Sequence, residues 1–461
     1  MNPAVFKAYD IRGLAPEEIH ETFARRLGKV LAHLYHPKQV LVGRDMRASS
    51  LALQEALIEG LTVSGVSVVR IGLCSTPMFN FAMSEELGRY ELGVMITASH
   101  NPVSFNGFKI SHQNQPVGLG SGMEDIREMM LSDAALLDVV QAGNVEDDAN
   151  VLDRYVERVV TLAQLPEVLP TWRIAIDAGN GMSGLVLPKI CKRLAGIDVS
   201  QLYWDLDGTF PNHEANPFKG ETLSALRKKV LHHQCAFGVA FDGDGDRVGF
   251  VDETGERIPG DLVAALLARE VLREYPGKKV IYDVRCSWSV PEMVRSAGGE
   301  AIMSKVGHAS IKRLMAETGA VFGGELSMHF YFADWHNHEA SEYAMLLLMK
   351  MMMREQRPLS QLWKEVQIYA HSGEINFPVE QPVQIMQHLE DTYGALPGAT
   401  VSHLDGIRIE LRDEDHLEQD WWFNVRISNT EPLLRLNVEA RSVNEMEKHV
   451  QELSEAISAN V

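Results

Sequence analysis

Cysteine is scarce and scattered. The 461 residues hold four, Cys74, Cys191, Cys235 and Cys286, with no CxxC or Cys/His ligand spacing among them. That excludes a disulfide scaffold and a thiolate zinc module, and it suggests a reduced cytoplasm. Long hydrophobic runs are also missing: no window reaches the ~18 uninterrupted apolar residues of a membrane span. The opening MNPAVFKAYDIRG lacks both the basic start and the apolar stretch of a secretory signal. The nearest approach to a span, Ala344 to Met353, is a Leu/Met run broken by Lys350 and reads as a core helix. Positive charge is in deficit, 43 Lys plus Arg against 63 Asp plus Glu, giving a formal net charge of −20. Such a surface repels polyanions, so neither nucleic acid nor an anionic membrane is expected as a partner. A small anion is not excluded. With a screening length of about 8 Å in physiological salt, a pocket senses its own few residues and not the sum over the molecule.

What is present is an ordinary globular composition, 45% hydrophobic and 23% charged, in a chain long enough for three or four modules of about 100–150 residues. Short apolar runs alternate with stretches of helical period. Val40 to Gly43 and Val66 to Gly72 read as strands around a helix at Leu51 to Val63, and the pattern returns at Arg173 to Asp177, Lys279 to Asp283 and Glu300 to Met303. This is the alternation of α/β units. After Leu359 the texture changes: Glu374 to Asn376, GIRIEL, WWFNVRIS and LLRLNVEA read as an antiparallel sheet, with helices at Val383 to Tyr393 and Val443 to Ser458. The acidic stretch Gln141 to Asn150 is the best earlier boundary. The expected domains are 1–146, 147–255, 256–366 and 367–461, three similar mixed α/β domains and a terminal α+β domain.

Buried strands empty into polar loops at LGVMITASHNP, FGVAFDGDGDR and AVFGGELSMH, and in open α/β sheets such strand ends are where ligands bind. In DGDGDR, Asp242, Asp244 and Asp246 alternate with glycines, so three hard oxygen donors can converge on one cation. An EF-hand loop is excluded, because Arg247 occupies the sharp-turn glycine position and a strand precedes it. In TASHNP, Ser99 lies in a small-residue turn past a strand, where a hydroxyl is placed to act as a nucleophile if it is activated. Taken alone that signal is weak. The group His336, His338 and Glu339 in ADWHNHEASEY reads as a polar loop in preference to a second metal site. The pair Trp421 and Trp422 reads as packing in preference to a sugar platform.

TASHNP with downstream NGFK, DGDGDR, GELS at Gly324 to Ser327 and RISNTEP at Arg426 to Pro432 resemble, in order, the four signature loops of the α-D-phosphohexomutases. FKAYDIRG, GRDMRASS and DAGNGMSG fit the same family, and the wording is nearest its bacterial phosphomannomutase/phosphoglucomutase branch. The resemblance implies four domains around a central cleft. It implies interconversion of hexose 1- and 6-phosphates, mannose and also glucose, through a phosphoserine at Ser99 and a hexose 1,6-bisphosphate that is intermediate and activator. The alternatives are a phosphoglucosamine mutase and a silent sugar-phosphate binder of the same fold. It implies Mg²⁺ on Asp242, Asp244 and Asp246 with the serine group, and Arg247 and Arg12 as electrostatic partners. Lys109 and His308 both stay open as the general base. Glu325 and Ser327 are the implied grip on two sugar hydroxyls, and Arg426, Ser428, Asn429 and Thr430 the cradle of the idle phosphate. Tyr9, Arg285, Lys305 and His329 complete the substrate candidates. The implied partners are small sugar phosphates, and the implied assembly is a monomer or weak homo-oligomer.

Overall fold

The computed structural model describes residues 1–133, 136, 141–412, 419–428 and 433–459. The chain forms two compact units, Met1–Gly260 with Ser327–Ser360, and Asp261–Leu326 with Gln361–Val461. Both combine helices with sheets: the first unit's sheets are mixed, and the second has a parallel set of strands and a separate antiparallel sheet, in keeping with the expected fold class.

The first unit holds a seven-stranded sheet. Its parallel centre is Gln39–Arg44 between Ser67–Leu73 and Leu92–Ile96, and Phe105–His112 and Ile11–Leu14 add antiparallel. The helix Ser50–Thr62 connects the first two strands, and Val40, Val42, Leu92, Val94 and Ile96 share a core with Phe23, Leu27, Leu57 and Leu61. Continuous Val/Ile/Leu runs are what strands buried on both faces require. The stretch Gln141 to Asn150 contains a short strand, Val145–Asp147, laid parallel to Ser67–Leu73.

A second, five-stranded sheet of this unit carries Phe237–Phe241 between Arg173–Asp177, parallel, and Val248–Asp252, antiparallel. Phe241 is paired with Val248, so DGDGDR is the turn of a buried hairpin. The Leu/Met run lies in the helix Ser341–Glu355, which is buried on nearly every side. The segment around His338 departs from the polar-loop reading. His338 and Glu339 form a short strand paired with Phe330–Phe332 and are buried, with the His338 ring 2.9 Å from Asn114 Oδ1 and Asn80 donating to Glu339 at 3.1 Å. Those partners lie more than 200 positions away, outside the reach of any local pattern.

In the second unit, Lys279–Asp283 runs parallel to both Glu300–Ser304 and Phe322–Gly324. The terminal module is a six-stranded sheet that includes Ile375–Pro378, Ile407–Leu411, Trp421–Ile427 and Leu433–Ala440. Pro382–Tyr393 and Val443–Ser458 supply its helices. Trp422 is fully buried, donates to Glu439 at 2.7 Å and lies under the Arg408 guanidinium, while Trp421 stacks on His449; both are packing residues. Among the described residues no helix is long and apolar enough to cross a membrane.

Candidate active site

Chemistry-bearing side chains gather in two groups, one in each compact unit. In the first, the fully buried strand Leu92–Ile96 delivers the chain to Thr97, whose hydroxyl accepts from Ser99 N at 2.9 Å and starts the turn. Ser99 sits at φ +52°, a left-handed conformation that costs an L residue roughly 1–2 kcal/mol. Its side chain is nearly buried, its Oγ donates to Asp242 Oδ2 at 3.2 Å, and His100 Nδ1 is also at 3.2 Å.

The hairpin turn after Phe241 brings Asp242, Asp244 and Asp246 together, with one ligand oxygen from each within 4.8 Å of the others. Both glycines are needed there. Gly245 has φ +78°, and a Cβ on Gly243 would stand 2.5 Å from the Ser99 carbonyl oxygen, so only glycine lets the acidic turn reach the serine turn. Lys109, on the strand Phe105–His112, reaches Asp244 Oδ2 at 2.6 Å and Asp246 Oδ2 at 2.7 Å. Thr76 donates to Asp244 Oδ2 at 2.6 Å, Arg247 Nε stands 3.5 Å from Asp242, and His329 Nε2 is 3.4 Å from Asp246 Oδ1. Ser327 Oγ, 3.1 Å from His329 Nδ1, extends this chain of contacts. Arg12 pairs with Asp10 and donates to Asn101 Oδ1 at 2.8 Å, and Tyr9 lies in the turn that leads to it.

The electrostatics of this group are those of a cation site. Burial, then the two neighbouring carboxylates, push Asp242 well above the usual range. Burial acts the same way on Asp246, yet Lys109, His329 and Arg247 hold it well below. Burial opposes charge on Lys109, but Asp244 and Asp246 raise its pKa and keep it an ammonium. Asp244 Oδ1 is buried with no hydrogen-bond partner among the described residues. Three carboxylates with an unmatched oxygen suit a small, hard divalent cation that keeps places for other oxygens. A buried Asp triad of this kind can bind a metal ion, and among the described residues it is the one His/Cys/Asp/Glu group with that geometry.

The second unit gathers arginines and carboxylates into one network. Asp283, at the end of its strand, accepts from Arg285 N at 2.7 Å, Nε at 3.1 Å and Nη2 at 2.9 Å, and from Leu326 N at 3.0 Å. One carboxylate thus fixes both the arginine and the loop that carries Glu325. Glu325 is buried, accepts from Gly307 N at 2.9 Å, and lies 3.9 Å from Arg285. Glu374 joins three guanidiniums, Arg426 at 2.9 Å, Arg435 at 3.1 Å and Arg285 at 3.4 Å. Burial raises its pKa, but the three arginines prevail and keep it below the usual carboxylate range. Arg426 and Arg435 face each other across paired strands, so their two guanidiniums converge on Glu374 from one sheet, while Arg285 is shared among Glu374, Asp283 and Glu325. Ser428 follows Arg426 and is held by its backbone to Leu433. Lys305 is exposed, and His308 opens the helix His308–Thr318 after Gly307 at φ +110°. Asn429 and Thr430 lie outside the described residues.

Local patterns therefore led to most members of both groups and missed several. His100 is next to Ser99 and was visible in the motif. Its ring accepts from Arg247, and burial with the charges of Arg247 and Arg12 keeps it neutral, well below its ordinary value. Thr76 and Glu374 lie in unremarkable stretches and their roles come from partners distant in sequence, whereas Asp283 ends a legible strand and bonds mainly to Arg285 two positions on.

Family models match the chain in four consecutive stretches: phosphoglucomutase/phosphomannomutase alpha/beta/alpha domain I at residues 3–133, domain II at 153–255, domain III at 259–369 and the C-terminal domain at 374–456. A phosphomannomutase of Methanocaldococcus jannaschii is 38% identical over 459 residues, 98% of this chain and 97% of that one. A phosphomannomutase of Escherichia coli K12 is 35% identical over 443 residues, 95% and 94% of the two chains. A phosphoglucomutase/phosphomannomutase family structure from Burkholderia thailandensis superposes with a TM-score of 0.88 at 31% identity, covering 100% of this chain and 98% of that one.

Proposed function

The chain belongs to the phosphoglucomutase/phosphomannomutase family of phosphohexomutases, and from that premise we propose that it interconverts hexose 1- and 6-phosphates, mannose first and glucose second, by way of a phosphorylated Ser99. The observation that carries this reading is the Ser99 hydroxyl bonded to Asp242 within the buried Asp triad. Phosphoryl transfer asks of a protein mainly alignment and charge neutralisation. In the forward half-reaction the Ser99 Oγ–P bond breaks and a P–O bond forms to the free hydroxyl of the hexose monophosphate, giving a hexose 1,6-bisphosphate. In the second half the other phosphate returns to Ser99, and the isomeric monophosphate leaves. Mg²⁺ on Asp242, Asp244 and Asp246 supplies charge neutralisation on the transferring group.

The other roles fall to side chains of the chain itself. Arg247, 3.5 Å from Asp242, and Arg12, tied to Asn101, provide fixed cations around the serine turn. Glu325 and Ser327 hold sugar hydroxyls, and sites built this way discriminate strongly against analogues without them. Arg426 with Ser428, Asn429 and Thr430 holds the phosphate that is not moving, and Tyr9, Arg285, Lys305 and His329 are the remaining substrate contacts. The proton of the attacking hydroxyl goes to His308, or to Lys109 if a cation on Asp244 and Asp246 takes over those carboxylates and lets the ammonium give up its proton first. Lys109→Arg keeps a cation on Asp244 and Asp246 without a titratable amine, and His308→Gln removes the imidazole; the base is the one whose loss changes the pH–rate profile.

The mannose assignment draws support from the phosphomannomutase relatives. The reading also takes the four domains to be divided at 146/147, 255/256 and 366/367, and the enzyme to be cytoplasmic, a monomer or weak homo-oligomer, with neither nucleic acid nor membrane as partner. Mannose 1-phosphate, glucose 1-phosphate and glucosamine 1-phosphate assayed side by side test the substrate. Intact-protein mass tests the mechanism: one phosphate is added by hexose 1,6-bisphosphate and lost to a monophosphate. Steady release of inorganic phosphate instead would identify a hydrolase.

A further inference from the structure

We propose that Arg47 is a positioning residue for the nucleophile turn, holding Ser99 in its reactive conformation; the inference rests on the mutase reading of Ser99. Arg47 belongs to GRDMRASS and lies between the strand Gln39–Arg44 and the helix Ser50–Thr62, nearly buried. Its guanidinium spends its terminal nitrogens on four backbone carbonyls of one turn. Nη2 donates to Ser99 O at 2.9 Å and Asn101 O at 2.6 Å, and Nη1 to Pro102 O at 2.8 Å and Phe105 O at 3.0 Å.

The arginine is itself held from the other side. Asp45 Oδ2 lies 3.3 Å from Nε, Asp45 Oδ1 accepts from Arg47 N at 3.0 Å and from Ser50 Oγ at 2.5 Å, and the Phe210 ring lies 5.1 Å from the guanidinium carbon. A planar fork fixed at its base imposes a shape on whatever it binds, which a flexible ammonium does not. Two features show what that shape is for. The turn includes Ser99 at φ +52°, a conformation kept only where surroundings over-determine it. The Ser99 carbonyl that Arg47 grips is also the atom against which Gly243 of the acidic turn packs without room for a Cβ. Arg47 thereby sets how closely nucleophile and metal ligands approach. It also directs four carbonyl oxygens to itself, so that in these planar trans peptides the His100 N–H points the opposite way. A dianionic phosphoryl group on Ser99 is repelled by carbonyl oxygens and stabilised by N–H donors.

The same chemistry occurs elsewhere in this unit without any link to Ser99. Arg26 donates to Met129 O at 3.0 Å, Met130 O at 3.0 Å and Ser132 O at 2.5 Å, anchoring the end of the helix Met123–Leu131. Arg26→Lys therefore serves as the control for loss of a carbonyl-bound arginine. In the full-length enzyme, Arg47→Lys is expected to lower kcat about a hundredfold, the scale of an ångström-level misplacement, with KM for the hexose phosphate within threefold of the parent. Amides of residues 99–106 should exchange faster. Arg26→Lys is expected to lower the melting temperature with kcat and those amides unchanged. If Arg47→Lys does not fold, Asp45→Asn is read in its place, with a smaller fall of kcat in the same direction. A kcat per folded molecule within twofold of Arg26→Lys, or unchanged amide exchange at 99–106, overturns the inference. Because amide exchange needs no substrate, it decides the role in the turn even if the parent protein proves to have no mutase activity, which would overturn the functional reading instead.

Discussion

Lys109→Met tests the charge balance of the Asp triad most directly. The Lys109 ammonium lies 2.6 Å from Asp244 Oδ2 and 2.7 Å from Asp246 Oδ2, and those two side chains are 0% and 5% exposed. Methionine has a similar length and flexibility, so the substitution removes charge with little change of shape. Breaking a buried pair by deleting one partner costs about 3–5 kcal/mol, because the remaining charge is left uncompensated. At roughly 2–4 °C per kcal/mol for domains of 150–250 residues, the melting temperature in a chelator should fall by roughly 6 °C or more. Mg²⁺ should then restore most of the loss, since a ligand at a hundred times its Kd contributes about 2.7 kcal/mol. In the parent protein the ammonium already neutralises these carboxylates, so the metal has less to add. Thermal melts of both proteins with EDTA and with a Mg²⁺ series read the two effects. A variant that melts within about 2 °C of the parent in EDTA, or an equal Mg²⁺ shift in both, refutes the charge-compensation argument.

Ser99→Ala should reduce turnover by orders of magnitude while calorimetry shows hexose phosphate binding nearly intact; near-normal turnover in the purified variant would end the phosphoserine proposal. Arg426→Ala removes a charge-assisted donor worth about 1.5–3 kcal/mol, so Kd should rise at least about tenfold for both the 1- and the 6-phosphate, and an effect on one isomer alone contradicts a cradle that meets either end. The third expectation concerns pH. His213 Nε2 is 2.9 Å from Asp177, and although burial opposes its charge, the bond and the charge of Asp177 raise its pKa above 6.5. Its stabilisation is therefore full below the unfolded value and is lost as pH rises through the higher folded value. The urea midpoint should fall across that window in the parent and more weakly in His213→Gln; identical slopes count against it.

Where sequence alone succeeded, the information was local. The run RIAID is the strand Arg173–Asp177, an apolar centre between charged ends, and LLRLNVEA is the strand Leu433–Ala440, whose apolar residues alternate with Arg435, Asn437 and Glu439 at the period of a strand. DGDGDR placed three carboxylates and their turn within six consecutive positions, so geometry followed from spacing. The failures share a different cause. His338 and Glu339 looked solvated because Asn114 and Asn80, which satisfy them, are remote in the chain. Glu374 looked like the start of a strand; its meaning comes from Arg285, Arg426 and Arg435, which only the folded chain assembles. Arg47 stood in a quoted motif, but nothing in GRDMRASS states that its donors go to the serine turn. Residues that act directly on ligands tend to announce themselves by type and spacing, whereas those that hold them are chosen by tertiary neighbours.

The first compact unit is not contiguous in sequence: it takes Met1–Gly260, omits the next stretch, and is completed by Ser327–Ser360. The returning segment brings Ser341, whose hydroxyl binds the Gly245 carbonyl inside the acidic turn, and Glu342, which accepts from Tyr155 at 2.7 Å. It also brings the Leu/Met helix that fills this unit's interior. On the ribosome, the acidic turn emerges well before the residues that lock it. At 5–20 residues per second, the interval between residues 260 and 360 lasts roughly 5–20 s. During that time the nascent protein carries an uncovered apolar channel where the helix will lie. A truncation that ends before residue 341 will therefore yield an aggregation-prone product, not a smaller enzyme, because the acidic turn is locked only after this later segment has been made.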